Sequence, residues 1–106
     1  MAFTIGSTLL DACVLAVLAR EDAYGYRLTQ QIRQVVEISE STLYPILRRL
    51  EGAQLLTVRK AEHNGRLRKY YHITPQGLQR LEDFKAEWDE IVSIYKFIAR
   101  EGDAHE

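Results

Sequence analysis

Residues 56–73 read Leu-Thr-Val-Arg-Lys-Ala-Glu-His-Asn-Gly-Arg-Leu-Arg-Lys-Tyr-Tyr-His-Ile. Leu56 and Val58 alternate with polar residues, and Tyr71 and Ile73 resume the alternation beyond Asn64-Gly65. Such alternation marks half-buried strands, and Asn-Gly is the favoured two-residue turn because both positions tolerate positive φ. Counting outward from the turn sets His63 against Arg66, Val58 against Tyr71 and Leu56 against Ile73. Both apolar pairs then share one face, which specifies the register, since a one-residue slip would turn the apolar set of a strand to the opposite face. The same count opposes Lys60 to Lys69, a pairing that destabilises an isolated sheet. It also opposes Arg59 to Tyr70, placed for a cation–π contact.

Three helices are expected ahead of this hairpin. Residues 7–20 carry a dense apolar set (Leu9, Leu10, Cys13, Val14, Ala16, Val17, Leu18), with Ser7 as a candidate cap and Arg20 near the C-terminal dipole. Glu21-Asp22-Ala23 breaks the pattern and Gly25 marks a turn. A second helix follows on Tyr24, Leu28, Ile32 and Val35/Val36. After a polar break with Ser39 and Ser41 as candidate caps, a third helix runs over 39–53. At 100° per residue it buries Leu43, Ile46, Leu47 and Leu50 and turns Ser41, Thr42, Tyr44, Pro45, Arg48 and Arg49 outward.

After the hairpin, Thr74 caps and Pro75 opens a long helix over 75–99. Leu81, Phe84, Trp88, Ile91, Tyr95 and Ile98 step by three and four, a coiled-coil spacing. At 1.5 Å per residue such a helix spans about 37 Å, more than a small domain can cover, so the stripe is expected to form a homodimer interface. The tail Gly102 to Glu106 is expected to fray. The expected fold is mainly α with a small two-stranded hairpin: a winged helix-turn-helix over 1–73, then a dimerisation helix and tail over 74–106.

Composition narrows the function. At 106 residues one core is expected, and 46% hydrophobic with 27% charged residues excludes wholesale disorder. The net charge of -1 hides a division: residues 39–73 hold seven basic and three acidic side chains, while 74–106 hold four and eight. A basic middle can act as a local polyanion site because screening confines charge to about 8 Å at physiological salt. One cysteine permits no intrachain disulfide, and the longest apolar run, Ala12–Ala19, is far short of a membrane span. With no recognisable leader, a cytoplasmic location without membrane association is expected.

Catalysis is not expected. His63, His72 and His105 lack metal-ligand spacing with each other or with Cys13, and the glycines form no phosphate loop. Asp89-Glu90 sits on a solvated helix face and Cys13 in an apolar one. No metal and no cofactor are expected.

The third helix suits a DNA major groove: small hydroxyl residues at its start reach base edges, and Arg48 and Arg49 meet phosphates or guanine. Glu40 opposes this unless it accepts from a cytosine amine or complements the helix dipole. The hairpin tip adds Lys60, His63, Asn64, Gly65, Arg66, Arg68 and Lys69. Each feature alone fits an ordinary solvated surface; a basic hairpin directly after such a helix points to double-stranded DNA.

Four stretches resemble the PadR transcriptional regulators of the short type, with a single C-terminal helix: Tyr24-Gly25-Tyr26, Ser41 through Glu51, Gly65 through Tyr71, and Ile73 through Gly77. The resemblance spans residues 9–98. Gln54 departs from the glycine usual after the third helix, and Leu67 from a frequent wing proline. The resemblance implies a dimeric repressor on an inverted-repeat operator. Ser41, Thr42 and Tyr44 would then touch or approach bases, Arg48 and Arg49 phosphates or bases, and Arg66, Arg68 and Lys69 would be wing contacts. Some relatives release DNA on binding phenolic acids, and others hold planar drugs between subunits against a tryptophan of the last helix. Trp88 resembles that position approximately, making a small aromatic effector a candidate partner. Two rival classes remain: a small-molecule sensor with an incidental basic hairpin, and an adaptor offering its stripe to a different chain.

Overall fold

Val14, Leu15 and Leu18 are the most deeply buried residues of the first helix, and the other elements assemble around them. The computed structural model describes residues 7–100; the tail Gly102 to Glu106 and the side chain of Ser7 lie outside the described residues. The order is α1 (Ser7–Arg20), β1 (Ala23–Tyr24), α2 (Gly25–Ile32), α3 (Glu40–Gly52), β2 (Leu56–His63), β3 (Arg66–Ile73) and α4 (Pro75–Ala99). The core joins α1 to Leu28 and Ile32 of α2, Leu43, Leu47 and Leu50 of α3, Leu56, Tyr71 and Ile73 of the sheet, and Leu81 of α4.

α2 is shorter than its apolar spacing predicts. It ends at Ile32, where the Arg33 side chain donates from Nε to the Ile38 carbonyl at 2.8 Å and ties down the following turn. Val35 therefore leaves the helical register and stands 79% exposed. Tyr24, expected on the helix, is its N-cap residue in extended conformation.

α3 starts as its sequence predicts. Ser39 accepts from the Thr42 N–H at 3.3 Å, and Ser41 and Thr42 cluster on the same hydroxyl at 2.9 and 3.2 Å. Pro45 inside the helix removes the bond its N–H would make to the Ser41 carbonyl. At the other end the Leu55 N–H bonds the Leu50 carbonyl and the Gln54 N–H bonds the Glu51 carbonyl, a Schellman closure. Gln54 holds its left-handed position at φ 66°, so a side chain stands where glycine would be unstrained.

The hairpin register is the counted one, from Leu56 opposite Ile73 to His63 opposite Arg66. Asn64 and Gly65 have φ of 53° and 80°, as the turn requires. The sheet is larger than the expected two strands: β1 pairs with β3, Ala23 opposite Tyr71 and Tyr24 opposite Tyr70, giving the order β1-β3-β2.

A knot of hydrogen bonds joins α3 to α4. The Thr74 hydroxyl accepts from the Gly77 N–H at 3.0 Å and donates to the Gln54 carbonyl at 2.8 Å. The Thr74 N–H reaches the Leu55 carbonyl at 3.0 Å. A Cβ on Gly77 would collide with that same Leu55 carbonyl and come within 2.6 Å of Ile73, so glycine is needed for this approach. Beyond Leu81, α4 leaves the domain, and the described residues extend over 64 × 30 × 20 Å.

Candidate nucleic-acid interface

Helical geometry and cap chemistry present Ser41, Thr42, Tyr44, Pro45, Arg48 and Arg49 on the exposed face of α3, as the 100° spacing predicts. Arg48 makes no ion pair among the described residues. Arg49 differs. Its guanidinium grips Asp11 of α1 in a two-pronged pair, Nη1 to Oδ2 at 2.9 Å and Nη2 to Oδ1 at 2.7 Å. That hydrogen bonding holds Arg49 even more firmly charged than usual. An expected groove contact is thus already occupied in fastening α3 to α1.

Tyr44 leans back from the exposed face. Its ring packs on Gly25 so tightly that a Cβ there would fall 2.6 Å from the hydroxyl. Burial, with Tyr44 and Glu51 nearby, pushes the Tyr71 hydroxyl above its ordinary pKa. Between the start of α3 and the wing lies an open cleft of about 430 Å³, whose walls include Tyr24, Tyr26, Glu40, Tyr44, Arg66 and Arg68. Lys60 and Lys69 oppose each other at the wing, as counted, and His63, Asn64, Gly65 and Arg66 form its exposed tip. Arg59 lies 5.0 Å over the Tyr70 ring, the expected cation–π contact.

The stripe on α4 divides in two. Leu81 is 5% exposed and belongs to the domain core, so it roots the helix and offers no free surface. Phe84 is half-buried and stacks on Trp88, centroids 6.1 Å apart and planes inclined 15°. Trp88, Ile91, Tyr95 and Ile98 are exposed, joined by Ile94 and Phe97, which the stepwise stripe did not include. No group of three or more metal-ligating side chains occurs among the described residues, and burial raises the Cys13 thiol above its ordinary pKa. None of the helices described is long and apolar enough to cross a membrane.

The family model for PadR-like transcriptional regulators matches residues 14–83, which takes in everything from mid-α1 to the first turns of α4. The chain belongs to the PadR-like family of transcriptional regulators. It is 38% identical to the Streptococcus mutans protein smu.1704, whose crystal structure superposes with a TM-score of 0.87 over 95% of each chain. It is 34% identical to the transcriptional regulator Rv3488 of Mycobacterium tuberculosis over 74% of each chain. Bacillus subtilis PadR, solved in complex with operator DNA, shares 26% identity and a TM-score of 0.67, over 72% of this chain and 45% of that one. PadR-like proteins are transcriptional regulators and not enzymes.

Within this PadR-like frame, Tyr24 and Tyr26 are among the cleft residues that pattern reading did not assign to the interface. The signal was present, because Tyr24-Gly25-Tyr26 is one of the stretches that carry the resemblance. What was missing is β1, which brings that stretch beside the wing.

Proposed function

We propose that the chain is a cytoplasmic homodimeric repressor that binds an inverted-repeat operator. Residues 1–73 form the DNA-binding domain and 74–106 carry the dimer helix. The observation that carries this reading is the cleft flanked by α3 on one side and the basic wing on the other. With α3 in a major groove, Ser41, Thr42 and Tyr44 stand at or near base edges and Arg48 reaches a phosphate or guanine. The wing residues Lys60, His63, Arg66, Arg68 and Lys69, displayed by the Asn64-Gly65 turn, lie along the neighbouring backbone and minor groove. Arg49 contributes by holding α3 to α1 through Asp11. The operator-bound structure of the Bacillus subtilis relative supports a DNA partner.

The dimer reading rests on α4, where six large apolar side chains from Trp88 onward are exposed in a single chain. Soluble monomers rarely leave such a patch uncovered. A small planar aromatic effector fits the open face of the Phe84–Trp88 stack, between subunits, and releases DNA by changing the angle between them.

Selection of duplexes from a random library, followed by a salt titration, tests the reading. The expected result is an inverted repeat with half-sites about one helical turn apart and a steep salt slope. Recovery of nothing above background, from protein that light scattering finds dimeric, refutes it.

A further inference from the structure

Asn64 is the only asparagine in the chain, and Gly65 follows it. The pair forms the tip of the wing. Both residues are exposed, with φ of 53° and 80°, and the strand ladder ends one step earlier at His63 opposite Arg66. A Cβ built on Gly65 would meet nothing within 4 Å. None of the turn and loop backbone hydrogen bonds among the described residues uses the Gly65 N–H. The turn that sets the register therefore brings a side-chain amide, an unshielded backbone nitrogen and water to one point.

The amide carbon of an asparagine is an electrophile within reach of the next backbone nitrogen. Loss of the Gly65 N–H proton to water or hydroxide makes that nitrogen a nucleophile. It bonds to Cγ of Asn64, and the Cγ–Nδ2 bond breaks; the departing nitrogen takes up a proton and leaves as ammonia. A five-membered succinimide ring remains. Water then opens it at Cγ, giving aspartate, or at the former backbone carbonyl carbon, giving isoaspartate. Nothing is oxidised or reduced, and water is the only co-reactant. Glycine favours the closure, because it has no side chain to crowd the ring and the least backbone resistance to the swing.

Residues 60–69 carry four cations, Lys60, Arg66, Arg68 and Lys69, against one carboxylate, Glu62. The product sets a second carboxylate at the tip, where it weakens the basic patch and repels an approaching phosphate. Aspartate keeps the turn, since Asp-Gly is also a favoured pair. Isoaspartate routes the main chain through the side chain and lengthens it by one atom, in a turn whose length fixes the register.

We propose that Asn64 is a modification site that converts without an enzyme to aspartate and isoaspartate, and that both products lower the affinity of the wing for DNA. The chemistry stands on the turn alone; its consequence for DNA rests on the DNA-binding reading above.

The test ages the intact protein in neutral buffer beside a free peptide of residues 61–66, and titrates a selected duplex at intervals. The expected change is a mass gain of about 1 Da confined to the fragment that carries Asn64. Its rate should be comparable with that of the peptide. Affinity should fall about threefold per modified wing, the scale of one exposed charge interaction, and about tenfold for a doubly modified dimer. The salt slope of that dimer should fall by about two, at roughly 0.9 per phosphate no longer neutralised. Asn64→Asp should match the aspartate form from the start. Asn64→Gly, which keeps a favoured turn pair, should hold its initial mass and its initial affinity throughout.

An unmodified wing after the free peptide has been consumed would mean that the turn holds Asn64 out of reach of Gly65, and the proposal falls. Modification that leaves affinity and salt slope unchanged, with Asn64→Asp equal to wild type, overturns the consequence for DNA. So does an equal loss of affinity in aged Asn64→Gly, which would assign the loss to other damage. If wild type binds no duplex, the DNA reading and that consequence fall together, while the mass of the aged wing still decides the modification.

Discussion

Removing Arg49 should weaken the fold more than it weakens DNA binding, although Arg49 stands on the same helical face as Arg48. Its pair with Asp11 is two-pronged at 2.7 and 2.9 Å, with half of the Arg49 side chain and about a fifth of Asp11 exposed (50% and 22%). Two unit charges about 4 Å apart attract by about 4 kcal/mol at an effective dielectric of 20. Screening and side-chain entropy reduce exposed pairs to about 1 kcal/mol or less, and this geometry belongs at the upper end. Arg49→Ala, Asp11→Ala and the double variant should therefore each lose about 1 kcal/mol, because either single change already breaks the pair. In a chain of this size that lowers Tm by about 4 °C. Thermal unfolding of the four proteins at matched protomer concentration measures the coupling, which should shrink in high salt. Duplex affinity should fall about tenfold for Arg48→Ala and much less for Arg49→Ala. Additive losses, or an Arg49→Ala variant with unchanged stability and an affinity as poor as that of Arg48→Ala, would refute the reasoning.

Gly77→Ala should destabilise the protein by about 2 kcal/mol in urea unfolding, since its Cβ meets backbone at Leu55, which cannot rotate away. Gln54→Gly should do the opposite, raising stability by about 1 kcal/mol: it relieves a φ of 66° and discards only an exposed side chain. An unchanged Tm in either variant would contradict the corresponding geometry. Ile94→Glu, at a position 59% exposed in the single chain, should leave the domain folded and halve the mass seen by light scattering; a dimer that persists at micromolar concentration would place the interface elsewhere.

What could be read from the sequence follows the range of the interactions involved. The hairpin register and the exposed face of α3 were legible because both follow from a local period, two in one and 3.6 in the other, anchored by Asn64-Gly65 and Ser39. β1 was not legible, because Ala23-Tyr24 is too short to have a period and becomes a strand only by pairing with Tyr70 and Tyr71. The occupation of Arg49 was equally hidden, since Asp11 lies thirty-eight residues away and only packing of α1 against α3 unites them. On α4, a strict three-four stripe omitted Ile94 and Phe97 and included Leu81, which the core claims. Spacing identifies an apolar face but does not say where along a helix its own domain ends.

That boundary on α4 matters because of what lies just before it. The last turn of α3 closes on Gln54 and Leu55, whose carbonyls are the two acceptors that Thr74 grasps as it caps α4. Gly77 keeps the first turn of α4 pressed on that same Leu55 carbonyl. The end of the helix proposed to read DNA and the start of the helix proposed to join the subunits are therefore tied through a few backbone atoms, with no flexible linker between them. In the proposed dimer, any rotation of one α4 against the other must carry each α3 with it. In that proposed dimer, a planar molecule inserted beside Trp88 would not need to touch the DNA-binding face to misalign two half-sites, because the hydrogen bonds of Thr74 would carry the change of angle from α4 to α3.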